Sequence, residues 1–183
     1  ESGGEGIDDD FHPDHLVNDG DIFMLNNEKI KAIYTPGHMG NHVCYQYDKL
    51  LFSGDHIMDW ATSMVSPPYG DLTQFMASCR MLQAKKFDLF LPGHGEPVRN
   101  PSERLNFIIS HRLDREEQII STIKNTPMTA IEITKILYTE IDQRLIPAAT
   151  RNVFAHLIDL HERGILQFNG FISEQTRVIK VKE

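Results

Sequence analysis

The first hundred residues alternate short apolar runs with turn-forming pairs. Asn18-Asp19-Gly20-Asp21 reads as a turn, and residues 22–25 after it read as a strand. Asn26-Asn27 then leads into a second strand at 29–35, with Ile30, Ala32 and Tyr34 on one face and Ile33 on the other. Residues 43–47 and 50–53 predict a hairpin across Asp48-Lys49. Asp71 is placed to cap an amphipathic helix running to about residue 86, whose apolar side carries Phe75, Met76, Cys79 and Leu82. Residues 88–91 read as a short buried strand stopped by Pro92-Gly93. Strands and helices in this alternation predict an α/β layered architecture.

After residue 105 the pattern becomes helical. Ser102 is placed to cap a long helix to about residue 124, which Thr126-Pro127 breaks. Two more amphipathic helices follow at 129–140 and 148–163, the second closed by Gly164. Residues 165–168 and 177–181 then read as a hairpin with a long polar connection. Three helices followed by a hairpin is the order of a winged helix. The expected division is therefore residues 1–105 and 106–183, the latter a helical linker and winged-helix domain. There is no internal repeat.

Composition alters this picture in three places. The chain of 183 residues is 40% hydrophobic and 24% charged, in the globular range, with no apolar run long enough to span a membrane. Its opening, Glu1-Ser2-Gly3-Gly4-Glu5-Gly6, lacks the basic, apolar, small-residue order of a signal peptide and reads as a processed or excised end. Cys44 and Cys79 sit in apolar company without a CxxC spacing, so buried free thiols and a reducing cytoplasm are expected. The net charge of −8 is uneven: residues 1–105 carry 8 Lys and Arg against 16 Asp and Glu, and residues 106–183 carry 10 of each. Neither part has the basic footprint of a general nucleic-acid binder.

Candidate chemistry lies in three strings: Thr35-Pro36-Gly37-His38-Met39-Gly40-Asn41-His42, Phe52-Ser53-Gly54-Asp55, and Leu91-Pro92-Gly93-His94-Gly95. Each sets a His or Asp directly after a predicted strand, beside glycine. Ligands at strand ends, on tight turns, meet at one rim of a sheet without burying unpaired charge in its core. Imidazole with carboxylate is the ligand set of zinc or of a borderline metal such as iron or manganese.

These strings resemble the later motifs of the metallo-β-lactamase superfamily, whose fold is a four-layer αββα sandwich with a dinuclear metal site. The stretch Ser63-Met64-Val65-Ser66-Pro67-Pro68-Tyr69-Gly70-Asp71 and the later Ile109-Ser110-His111-Arg112 are similar to the lactamase-beta-2-like branch, which carries an appended winged helix. The resemblance implies two zinc ions, with manganese or iron as alternatives. His38 would complete one shell, Asp55 would bridge both ions as the catalytic carboxylate, and His94 would serve the second. In that family the metals generate a hydroxide nucleophile and polarise the scissile bond. His42 is expected beside the ligands or on the substrate side, and Asp59 and Trp60 either at the wall of the substrate pocket or in plain packing.

The sequence departs from the family in one large respect. The family's remaining ligands come from a His-x-His-x-Asp-His motif upstream of His38, and none is present. His12-Pro13-Asp14-His15 repeats only its last part, with Asp10 where the first His should stand, and reads as a surface turn. Met39 stands where the family usually has Thr. The expected fold is thus the C-terminal half of the sandwich followed by a winged helix. Such a chain would be a piece of a hydrolase of esters, thioesters or single-stranded RNA, inactive by itself, with a bared sheet face prone to self-association.

The rival reading is a non-catalytic interaction module whose winged helix binds nucleic acid or protein. In the helix at 148–163, Val153, Leu157 and Leu160 face the core, while Arg151, Asn152, His156, Asp159 and Arg163 form the polar side. Its acids make DNA an unfavoured partner. The resembling branch packs this domain beside the active site, which implies a scaffold or gating role.

Overall fold

A computed structural model describes residue 10 and residues 12–124 and 126–181 of the chain. The glycine-rich opening at 1–6, read above as a processed end, lies outside them. Strands β1 (Ile22–Leu25), β2 (Glu28–Tyr34), β3 (Val43–Tyr47) and β4 (Leu50–Gly54) form an antiparallel meander. Local chemistry sets the turns: Asn26 and Asn27 at φ 48° and 70° turn β1 into β2, and Asp48 at φ 49° turns β3 into β4. From β4 the chain crosses over through helix α1 (Leu72–Gln83) and returns as β5 (Leu89–Pro92), parallel to β4. The expected cap holds, since the Asp71 carboxylate accepts from the Gln74 N–H at 2.8 Å.

The pleat sorts the sheet's side chains. Ile33, Cys44, Leu51 and Phe90 are buried in a core with Phe75, Cys79 and Leu82 of α1. Both cysteines are free and buried, as their apolar neighbours suggested. The opposite face has no layer over it among the described residues. Phe23, Ile30, Tyr45 and Phe52 form an apolar patch there, and Phe23, Tyr34 and Phe52 are exposed. His12, Asp14 and His15 are exposed ahead of β1.

Helix α2 (Pro101–Ile123) belongs to both halves of the molecule. Leu105 and Ile108 enter the sheet core, and Ile119 and Ile123 enter a second one. Ser102 is not its cap. Asn100 flanks the helix and Pro101 takes the first position, where its missing N–H would be unpaired in any case. The second core is built with α3 (Ala130–Leu137), α4 (Ile146–Glu162) and the hairpin β6 (Leu166–Phe168) with β7 (Val178–Lys180). Thr129 and Glu132 close a reciprocal capping box on α3. Gly164, at φ 72°, ends α4: its N–H donates to the His161 carbonyl at 2.9 Å and that of Ile165 to Leu160 at 2.9 Å, a Schellman closure.

The polar side of α4 is turned to the rest of the molecule. His156 is 1% exposed and Asp159 7%, because this side packs against the sheet domain instead of solvent. Thr73 of α1 donates to Asp159 at 2.6 Å, and Arg163 pairs with Asp159 at 2.9 Å and with Glu116 of α2 at 2.7 Å. No helix among the described residues is long and apolar enough to cross a membrane.

Candidate metal centre

Strands β2 and β4 run in the same direction, each antiparallel to β3, and β5 runs parallel to β4. The C-terminal ends of all three therefore lie on one rim. His38 follows β2, Asp55 follows β4 and His94 follows β5.

The loop carrying His38 is drawn tight by three backbone bonds: Thr35 N–H to His42 C=O at 3.0 Å, and the N–H groups of Gly37 and His42 to Met39 C=O at 3.2 Å each. Gly37 sits at φ 137° directly under α1, and a Cβ there would lie 2.2 Å from the Phe75 Cα. The His38 imidazole bonds through Nδ1 to the Met64 carbonyl at 2.7 Å. A carbonyl only accepts, so in the neutral ring Nδ1 carries the proton and Nε2 keeps its lone pair, the form that binds metal.

Asp55 and His94 meet directly, His94 Nδ1 lying 2.7 Å from Asp55 Oδ1. The pair faces solvent, with side-chain exposures of 72% for His94 and 33% for Asp55. Two glycines make room for it. A Cβ on Gly93 would lie 2.8 Å from Asp55 Oδ1, and one on Gly54 would lie 2.8 Å from His42 Nε2. Behind Asp55 the loop is fixed by Ser63, whose hydroxyl reaches the carbonyls of Asp55 at 2.5 Å and His56 at 2.7 Å.

His42 lies between these groups. Its Nδ1 is 2.8 Å from the Thr35 hydroxyl, which donates to the Cys44 sulfur at 3.2 Å, so His42 donates and its Nε2 is left bare. Burial and the neighbouring His38 push its pKa down to about 4. The His38 and His42 ring centroids are 6.3 Å apart.

Of the expected pocket wall, Trp60 is 71% exposed and lies against Gly95, where a Cβ would come within 2.6 Å of its ring. Asp59 lines a groove of about 550 Å³ with Glu96, Arg99, Arg104 and Phe107. Arg104 holds the Trp60 loop by donating to the carbonyls of Met58 and Ala61, both at 2.7 Å.

Among the described residues no group of three or more His, Cys, Asp and Glu side chains is arranged to hold a metal. The rim brings Asp55 and His94 together and sets His38 beside His42, but does not draw His38 into one three-ligand cluster with the other two. In chemistry the donors suit a divalent metal, and the carbonyl-fixed tautomer of His38 suits a ligand. In number they amount to part of a shell.

Two residues here were not singled out from the sequence as part of the site. His56 follows Asp55 but turns inward, fully buried, with its ring 5.4 Å from that of His42 and 4.7 Å from that of Phe75. Burial lowers its pKa to about 3. Arg112 is buried and donates to the Ser63 carbonyl and to Asn152. Its only trace in the sequence was the His111-Arg112 pair inside the string that resembled the lactamase-beta-2-like branch.

Comparison with known proteins gives the family. The model of the metallo-beta-lactamase superfamily matches residues 3–94, half of the chain, and that of the beta-lactamase associated winged helix domain matches residues 129–171. The chain belongs to the metallo-beta-lactamase superfamily and carries that winged helix. It is 31% identical over 157 residues to the beta-lactamase-like protein 2 homolog of Drosophila melanogaster, covering 84% of this chain and 52% of that protein. It is 29% identical over 120 residues to an atrochrysone carboxyl ACP thioesterase of Aspergillus fumigatus, covering 63% of this chain and 37% of that protein. A beta-lactamase domain protein from Burkholderia ambifaria shares the fold with a TM-score of 0.81 at 22% identity, over 91% of this chain and 52% of that one. The chain thus spans about half the length of the fly relative and of that structure.

Proposed function

We propose that this chain supplies one side of the metal centre of a hydrolase that cleaves an ester or thioester, with His38, Asp55 and His94 as ligands. The observation that carries the proposal is the strand-end rim, where the Asp55–His94 pair stands beside an imidazole whose Nδ1 is committed to a carbonyl. Zinc fits this donor set, in two ions as in the family resemblance, with manganese or iron as alternatives. When bound, the metal supplies a Lewis acid that polarises a carbonyl and activates water. The chain's own residues hold and shape the site. Gly54 and Gly93 admit the side chains of His42 and Asp55, Ser63 fixes the loop behind Asp55, and Arg104 sets the Trp60 wall. The thioester reading draws on relatives named as acyl-carrier-protein thioesterases. Net acidity in residues 1–105 weighs against single-stranded RNA as substrate.

We read the open sheet face as the surface covered by the further length that the relatives have, and this chain as inactive without it. The winged helix then acts as a scaffold, since the polar side of α4 is spent on the sheet domain and not displayed to nucleic acid.

Trp60, the only tryptophan of the chain, reports on the site. With zinc present, a non-hydrolysable acyl-thioester analogue should change its emission saturably, and His94→Ala should abolish the change. An analogue that leaves Trp60 unaffected at saturating zinc would remove the thioester reading. Zinc-dependent thioester turnover by this chain, lost in Asp55→Ala, would overturn its inactivity. Turnover that survives Asp55→Ala would overturn the site itself.

A further inference from the structure

The carbonyl that orients His38 belongs to the peptide unit joining Met64 to Val65. A peptide unit is planar and trans, so its C=O and its N–H are rigidly coupled and point opposite ways. The C=O end accepts from His38 Nδ1 at 2.7 Å. The N–H end, on buried Val65, donates to Oδ1 of Asn152 at 3.2 Å. Asn152 lies on α4, within the winged-helix domain and 87 residues along the chain from Val65.

The amide of Asn152 is itself fixed. Its Oδ1 also accepts from Arg112 Nη1 at 3.1 Å, and its Nδ2 donates to the Ala148 carbonyl at 3.3 Å. Both groups facing Oδ1 are obligate donors, which settles the orientation of the amide. Arg112 in turn donates from Nη2 to the carbonyl of Ser63, one residue before Met64. The segment 63–65 is therefore held from α2 and from α4, while the Met64 carbonyl is spent on His38. No other side chain of the winged-helix domain bonds to this segment among the described contacts.

We propose that Asn152 is a positioning residue for His38: the winged-helix domain, through the Met64–Val65 peptide, sets the tautomer and direction of that imidazole. The domain then contributes to the metal rim without placing a ligand in it. A residue that merely docked two domains would affect stability and leave the His38 ring as it is.

The test reads the ring in the metal-free full chain at pH 8, above the range of an ordinary imidazole, by long-range proton–nitrogen correlation. The wild type should show His38 with the proton on Nδ1. Asn152→Asp keeps an acceptor for both donors and should preserve that tautomer. Asn152→Leu, or Asn152→Ala if the larger side chain is not accommodated, should give a mixture of tautomers with the His161 ring signals unchanged. Thr73→Val removes a different bond between the same domains and should leave His38 unaltered. An unchanged His38 in folded Asn152→Leu or Asn152→Ala would overturn the inference, and so would an equal shift in Thr73→Val.

The consequence for metal rests on the ligand reading proposed above. Zinc affinity should fall about 10-fold or more in Asn152→Leu, the usual loss when a ligand's orienting partner is removed. Tautomer shifts as described with no zinc uptake by the wild type would sink the ligand reading alone. Zinc uptake with an unmoved tautomer would sink this inference alone.

Discussion

Glycine and histidine carry most of the information at the scale of single residues. Gly37 has no room for a side chain, because the added carbon would meet the Phe75 backbone at 2.2 Å and its φ of 137° suits no other residue. Gly37→Ala should cost more than about 3 kcal/mol, measured by urea denaturation. Burial lowers the pKa of four histidines, His111 among them, and three fall far: His42 to about 4, and His56 and His156 to about 3. Each folded value lies below the unfolded one of 6.5, so the unfolded chain binds more protons as the pH falls. Stability is full above about pH 6.5 and declines toward pH 3. His156, which faces Arg112, Arg115, His111 and Arg163, has neither ring nitrogen bonded. His156→Leu should flatten the decline between pH 6 and 4 by about 1.4 kcal/mol per pH unit. An unchanged slope would show that His156 is not held neutral. The candidate ligands could be read from the sequence because each ended a strand beside glycine. His56 and Arg112 could not, since what defines them arrives from residues 20 to 50 positions away.

At the scale of elements, local rules carried far. The meander's hairpins and α1 follow from the turn residues Asn26, Asn27 and Asp48, alternation and the Asp71 cap, all of which act within a few residues. Asp71→Ala should lower stability by about 1 kcal/mol, and thermal melts with Asp71→Ser as the retained cap would check it. Ser102 was misread because a hydroxyl before a helical run looks like a cap, whereas Pro101 already fits the first turn. The partner of the polar side of α4 was not legible for a different reason. Periodicity separates polar from apolar positions, but it does not say whether a polar side meets water or another domain. The loop at 58–61 shows a similar dependence, since it takes its shape from two bonds to Arg104 on α2. Arg104→Ala should free Trp60 from Gly95 and shift its emission to the red, whereas Arg104→Lys should restore the wild-type spectrum at most in part. Identical spectra in all three proteins would remove Arg104 as the clamp.

The whole molecule is two cores strung on α2, with the candidate ligands on one rim of the sheet and an apolar face left open. That face, with Phe23, Ile30, Tyr45 and Phe52, is what a sandwich places between its sheets. That it stands open was hinted at in the sequence only by the absence of a His-x-His-x-Asp-His motif ahead of His38. Sedimentation velocity should show concentration-dependent association of this chain, reduced by Phe52→Glu, because the patch has nothing else in the described residues to bury it. A monomer at all concentrations would mean the face is tolerated in water.

The central claim is that His38, Asp55 and His94 are metal ligands, and zinc titration calorimetry of the purified chain tests it most directly. The account predicts uptake weaker than that of a complete four-ligand site, lost in both Asp55→Ala and His94→Ala and weakened in His38→Ala. Uptake indifferent to those three substitutions, or no uptake at all, would contradict it.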